Sequence, residues 1–167
     1  GDVYKRQAIY HILETKPSSF HEATITNSKP WRESKSITNF INYEIGLHKY
    51  NKRIFFDGRQ KTHSILSKYN PLILSFQLFC ELNYTYLESL HFGYPLVHNS
   101  KMLDNNGYYY EGFNCIDAAN QTINALEQHD DNLSIEIEKG RAFTSKFDPN
   151  NKEVIKKYQK LMESIIK

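Results

Sequence analysis

The residues best placed to do chemistry fall between Leu74 and Ser100, where the order reads strand, loop, helix, Gly-x-Pro, strand. Glu88 lies one turn into the helix, on the face of Tyr84, where a carboxylate can accept hydrogen bonds from the vicinal hydroxyls of a ribose. Asn83 is a good helix cap, and the free backbone N–H groups of Tyr84 and Thr85, with the helix dipole, suit a diphosphate. Gln77 follows a buried strand at its carboxyl end, where open α/β sheets bind ligands. Gly93 permits a tight helix exit and Pro95 fixes the start of the next strand. Arg59 and Lys61 follow the second strand, across the expected crevice. A basic side chain there is a reasonable partner for the charge that develops on a leaving diphosphate.

Each of these residues also has a plain structural use. Glu88 reads equally as a solvated helix residue, Asn83 as a cap, Gln77 as an ordinary loop contact, and Arg59 and Lys61 as surface charges. His63 stands beside them with a weaker claim. His91 and His98 do not share metal-ligand spacing with any partner, so packing is the expected role of both. Tyr108-Tyr109-Tyr110 reads as core and strand edge. Cys80 and Cys115 read as small buried residues, and two cysteines are too few for a disulfide framework or a zinc site. No metal is called for.

The elements that must position these groups follow from hydrophobic spacing and turn residues. Ala8 to Leu13 is a short apolar run and reads as a strand. Lys16 to Pro30 reads as loop. A helical spacing from Ser34 carries Ile37, Phe40, Ile41, Ile45 and Leu47, with Gly46 or Asn51 to end it. Arg53–Asp57 reads as a strand, Thr62–Tyr69 as a helix, and Pro71–Phe76 as a strand apolar on both faces. A helix over Tyr84–Phe92 is followed by strands at Pro95–His98 and Gly107–Tyr110. Helices follow over Cys115–Gln128 and Asn132–Phe147. Asp148 as cap and Pro149 at the first helical position open a last amphipathic helix carrying Val154, Tyr158, Leu161, Met162 and Ile165. The alternation implies an α/β fold: a Rossmann-like open, mostly parallel sheet with helices on both faces.

Within this frame, Glu88-Ser89-Leu90-His91-Phe92-Gly93-Tyr94-Pro95 fits an E-x-x-x-x-G-x-P pattern. The chain thereby resembles the C-terminal, donor-binding domain of GT-B glycosyltransferases. More narrowly, Asn83–Leu87, Gly93–Ser100 and Gly107–Tyr110 are similar to a family of uncharacterised GT-B-like proteins with the phrase NYxYL…GYPLVHNS…GYYY. His129-Asp130 and Phe147-Asp148-Pro149 extend the likeness, which runs from about Arg53 to Leu161.

The resemblance implies transfer of a sugar from a nucleotide-sugar donor, which is a substrate, so no cofactor is expected. It assigns Glu88 to the donor ribose and Asn83, Tyr84 and Thr85 to the diphosphate. It leaves the catalytic residues unknown and places the acceptor site in a missing N-terminal domain, with the last helix packing across the interdomain side. Two departures support a second reading, a non-catalytic nucleotide- or sugar-binding module on the same fold. Many retaining relatives have two glutamates separated by seven residues, whereas six separate Glu81 from Glu88 and Cys80 stands where the first would be. Ser75-Phe76-Gln77 replaces a Ser-His-Gln common in the narrow family.

Composition sets the outer bounds. The chain has 167 residues, 40% hydrophobic and 14% aromatic, enough for a core and too apolar for disorder. Its 21 basic and 19 acidic residues give a net charge of +2, which argues against a nucleic-acid grip. There is no Walker loop, Gly-x-Gly-x-x-Gly, Gly-x-Ser-x-Gly or His-Glu-x-x-His. No apolar run reaches membrane-helix length. A cytoplasmic setting is expected, with room for peripheral attachment to a membrane.

Gly1 to Gln7 read as translated sequencing adaptor, because the codons of a common transposon-based adaptor end encode Asp2 to Gln7 in order. The expected organisation is therefore an artefact over 1–7, a nucleotide-sugar-binding domain over 8–149 and a C-terminal helix over 150–167.

Overall fold

A computed structural model of the chain describes residues 2–39, 50 and 52–166. All its strand pairings are parallel. Strand β1 (Ala23–Ile25) pairs with β2 (Ile54–Phe56), Ala23 opposite Ile54. Strand β3 (Ile73–Leu74) pairs with β4 (Leu96–His98), and β4 with β5 (Tyr108–Tyr109), leaving β4 in the middle. Helices connect most of these strands: α2 (Lys29–Glu33) and α3 (Lys35–Asn39) lie between β1 and β2, α4 (Thr62–Tyr69) between β2 and β3, and α5 (Tyr84–Phe92) between β3 and β4. The order is that of an α/β fold built from short parallel sheets.

β4 is buried at all three positions because helices cover both its faces. On one face Val97 joins Ala8 and Ile12 of α1 (Asp2–Thr15) and Ala118, Ala119 and Ala125 of α6 (Cys115–Gln128). On the other, Leu96 packs with Tyr86 and Leu90 of α5 and Phe143 of α7 (Leu133–Thr144). Leu74 of β3 touches both the first cluster and a further one formed by Ile9, Leu13, Ile25 and Ile54, so the two sheets share an apolar side.

Several expectations need correcting. Ala8 to Leu13 is not a strand; it lies within α1, whose buried residues Ala8, Ile9, Ile12 and Leu13 recur at helical spacing against α6 and β1. The helix is continuous through residues 2–7. Lys16–Pro30 is not all loop: it holds β1, too short to show alternation, and the start of α2 with Pro30 in its first turn, where the missing N–H costs nothing. The expected third strand shrinks from Pro71–Phe76 to Ile73–Leu74. Helix Asn132–Phe147 divides into α7 and a 3-10 turn at Ser145–Phe147.

The last helix, α8 (Lys152–Ile165), is capped by Asn151 and not by Asp148. Asn151 Oδ1 accepts from the Glu153 N–H (2.9 Å) while its Nδ2 donates to the Ser145 carbonyl (2.9 Å). That double engagement holds the chain and leaves Asp148-Pro149 in the preceding turn. The helix expected from Ser34 is described as far as Asn39; Phe40, Ile41, Ile45, Leu47, Gly46 and Asn51 lie outside the described residues. No helix among the described residues is long and apolar enough to cross a membrane.

Candidate functional site

The head of α5 is built by its first residues. Asn83 is extended (φ −143°, ψ 165°), and its Oδ1 accepts from the Tyr86 N–H at 3.1 Å, so it is the cap that the sequence implies. Among the described residues the N–H groups of Tyr84 and Thr85 have no partner. Tyr84 is 83% exposed. Asn83 Nδ2 is buried and without a hydrogen-bond partner, and so is Oε2 of Glu88 further along the helix. An unfilled buried donor and an unfilled buried acceptor each cost free energy of about 1–3 kcal/mol. Two of them fall within six residues of one another on and beside this helix.

A second helix head lies beside the first. The hydroxyls of Thr62, first residue of α4, and Thr85, second of α5, are 3.1 Å apart. The contact brings the loop after β2, which carries Arg59 and Lys61, next to the open N-terminus of α5. Arg59, Lys61 and His63 are exposed there. Asp57 shapes this loop: its Oδ1 accepts from the Gly58 N–H (2.7 Å) and its Oδ2 from Gln60 Nε2 (2.8 Å).

The loop after β3 completes the surround. Phe79 sits at its tip, 94% exposed and at φ +62°, a left-handed conformation rare for a bulky residue. Leu78 and Cys80 beside it are exposed too, which corrects the expectation that Cys80 is buried; Cys115 is half-buried, and both thiols are free.

Gln77 engages this frame through its backbone. Its N–H donates to Asn99 Oδ1 (2.9 Å) and its carbonyl accepts from Asn99 Nδ2 (3.0 Å), which also reaches the Gly112 carbonyl (3.4 Å). Asn99 thus ties the loops after β3, β4 and β5 together. The sequence reading did not single it out; its signal was an asparagine directly beyond the buried Leu96-Val97-His98. Ser100 adds a second tie, its hydroxyl donating to the Glu81 carbonyl.

Below these loops the polar core is fully specified. His98, 1% exposed, donates from Nε2 to the Asn106 carbonyl (2.8 Å) and accepts the Ser100 N–H at Nδ1 (3.1 Å). A carbonyl cannot donate and an N–H cannot accept, so the ring is neutral with its proton on Nε2. Burial pushes its pKa below the usual histidine value. Tyr86 donates to Ser75 Oγ (2.9 Å) and Tyr110 to the Ser75 carbonyl (2.7 Å). Burial raises both phenols, Tyr86 to about 12. Tyr109 is also raised to about 12; burial and its hydrogen bond to Glu111 favour the neutral phenol. His98 therefore packs, as expected. His91 instead is exposed, its Nδ1 3.0 Å from Thr144 Oγ1. Phe76 is buried against Phe113.

Gly93 and Pro95 lie at the other end of α5. Gly93 is the left-handed C-cap (φ +75°), its carbonyl accepting from His129 Nε2 at 2.8 Å, while the Pro95 carbonyl accepts the Ile73 N–H at 2.8 Å to begin the β3–β4 ladder. His129 accepts from the Tyr108 hydroxyl (3.2 Å) at its other nitrogen. The structure thus sets Asn83, Tyr84 and Thr85 at the head of α5, beside the head of α4, which Lys61 precedes and to which the loop with Arg59 leads; Glu88 lies one turn along α5 and Gln77 in the adjoining loop, while Gly93 and Pro95 stand apart. Among the described residues no group of three or more His, Cys, Asp or Glu is arranged to hold a metal.

No curated protein and no solved structure matches the chain significantly. A family model does match it, over residues 4–162, nearly the whole length. The chain belongs to the family described as proteins of unknown function, DUF2827.

Proposed function

We propose that this chain is the donor-binding half of a GT-B-type glycosyltransferase, which takes a nucleotide-sugar at the carboxyl ends of its strands. The observation that carries the reading is the pair of buried, unfilled polar atoms on α5, Asn83 Nδ2 and Glu88 Oε2. Glu88 is also the acid of the E-x-x-x-x-G-x-P pattern. In this reading its carboxylate accepts from the ribose hydroxyls, which replace the partner it lacks. The unpaired N–H groups of Tyr84 and Thr85 face the diphosphate, and Arg59 and Lys61 approach it from the neighbouring loop.

Glycosyl transfer breaks the bond between the anomeric carbon and the diphosphate oxygen while the acceptor oxygen bonds to that carbon. Negative charge grows on the leaving diphosphate, and fixed N–H dipoles and cations at the heads of α4 and α5 stabilise it without reorganising. The acceptor site, and a base if the reaction inverts, belong to a further domain. The chain alone then binds donor weakly and turns nothing over.

One observation favours a second reading, a nucleotide- or sugar-binding module without catalysis. Phe76 is committed to the core, so the position to which the resemblance gives a histidine offers no polar side chain. Calorimetric titration of the chain with UDP, GDP, ADP and dTDP, and with a matching nucleotide-sugar, tests both. Binding that Glu88→Ala abolishes is expected. No binding to any of them rejects both readings. Binding together with turnover by the full-length gene product decides for the enzyme, and binding without turnover for the module.

A further inference from the structure

Helix α8 contributes to none of the three hydrophobic clusters among the described residues. Every residue in it except Val154 is exposed, with Tyr158 at 64% and Ile165 at 74%. Yet its sequence is sorted with unusual strictness. At about 100° per residue, Ile155, Tyr158, Leu161, Met162, Ile165 and the C-cap Ile166 fall within an arc of about 140°, with no polar residue inside it. A 14-residue helix with an unburied apolar face is marginal in water, so the face implies a cover.

The charges say which cover fits. Moving outward from the arc, the first charged residue on either border is a lysine, Lys157 on one side and Lys152 on the other. Lys156 and Lys160 lie behind them, and both glutamates, Glu153 and Glu163, lie farther from the arc than the bordering lysines. Among the described residues none of these four lysines is in an ion pair. Two such helices meeting face to face would bring lysine borders together. A surface of anionic phosphates above an apolar layer instead satisfies both features at once: lysine stems lie along the apolar edge and their ammonium groups reach the headgroups.

We propose that α8 is an interfacial helix that docks this protein on an anionic lipid surface, lying in the plane of the membrane with the Tyr158–Leu161–Ile165 face in the acyl boundary. The proposal rests on α8 alone and gives to lipid the face that the resemblance would set at the interdomain side. The test is cosedimentation of the full-length gene product with vesicles, so that any other domain is present to compete for the face. The vesicles are phosphatidylcholine alone or phosphatidylcholine mixed with phosphatidylglycerol.

Binding about tenfold or more tighter to the mixed vesicles at low salt is expected, weakening as salt rises. Leu161→Glu with Ile165→Glu should remove binding to both kinds of vesicle. Lys152→Glu with Lys157→Glu should reduce binding on mixed vesicles to the level of phosphatidylcholine. All four side chains are exposed, so circular dichroism and the thermal midpoint should not move. Failure of the wild type to pellet with mixed vesicles would overturn the proposal and assign the face to protein. So would undiminished binding by the apolar-face variant, or an α8-dependent dimer that excludes vesicles.

Discussion

The two ends of α5 are finished differently. At the C-terminal end the helix is closed and closely packed against its neighbours. Gly93 closes the helix in the left-handed region, its carbonyl takes the His129 N–H, and an added Cβ would meet Ile137 Cγ1 at 2.3 Å. Nearby, α7 crosses so closely that a Cβ on Gly140 would stand 2.0 Å from the Leu90 carbonyl oxygen. At the N-terminal end, two backbone N–H groups, one amide and one carboxylate oxygen go unanswered. One chain folds both ends of one short helix, so the contrast separates a closed end from an open one.

The largest effect should come from the packed end. Gly140→Ala puts a methyl group into backbone, which cannot turn aside, and should cost about 3 kcal/mol or more in urea unfolding. Gly93→Ala combines left-handed strain of about 1–2 kcal/mol with an overlap that the Ile137 side chain can partly relieve, so a smaller loss is expected. Neither should weaken nucleoside diphosphate binding while the protein is folded. If either did so at a temperature well below its midpoint, the two ends would not be separable.

At the open end the pattern should invert. Asn83→Ala removes a cap and should cost about 1 kcal/mol, with loss of ligand binding as well. Glu88→Gln should leave stability within about 0.5 kcal/mol, because the carboxylate oxygen that it alters has no partner to lose.

His98 gives a pH test between the ends. Its pKa is depressed in the folded protein, so the unfolded chain binds more protons between the folded value and about 6.5. The stability from the neutral ring is complete above that range and is lost as pH falls through it. Protonation also breaks the Ser100 N–H bond to Nδ1. Thermal midpoints measured downward from pH 7 should fall, and His98→Asn should flatten that slope while lowering the midpoint at every pH.

The same contrast explains what could be read in advance. α5 is bracketed by Asn83 and Gly93, whose cap roles are local, and it begins and ends where those residues say. α4 and α6 also match their expected bounds, the latter fixed by the Asn114 cap and the buried stripe Ala118–Thr122–Ala125. The Ala8–Leu13 run misled because so short a run, apolar except for His11, fits either period, and only α6 and β1 across from it decide for helix. β1 was invisible because three residues carry no alternation.

In the site, the cap and the heads of α4 and α5 followed from sequence. The Asn99 clamp over three loops, the Thr62–Thr85 contact and the Gly140 crossing did not, since each depends on how close distant backbone segments come. The apolar stripe on α8 was legible from its spacing, and the structure leaves it exposed. Its lysine borders point to the cover proposed above.

The most direct test is a calorimetric titration of wild type and Glu88→Ala with a nucleoside diphosphate panel, alongside a urea unfolding curve for each protein. The account predicts that at least one nucleoside diphosphate binds the wild type, that the variant loses at least tenfold in affinity, as one or two charge-assisted hydrogen bonds would give, and that the two unfolding curves coincide. Equal binding by the variant, or a destabilised variant that binds as well as the wild type, would show that Glu88 serves the fold and that the open end of α5 does not hold a donor.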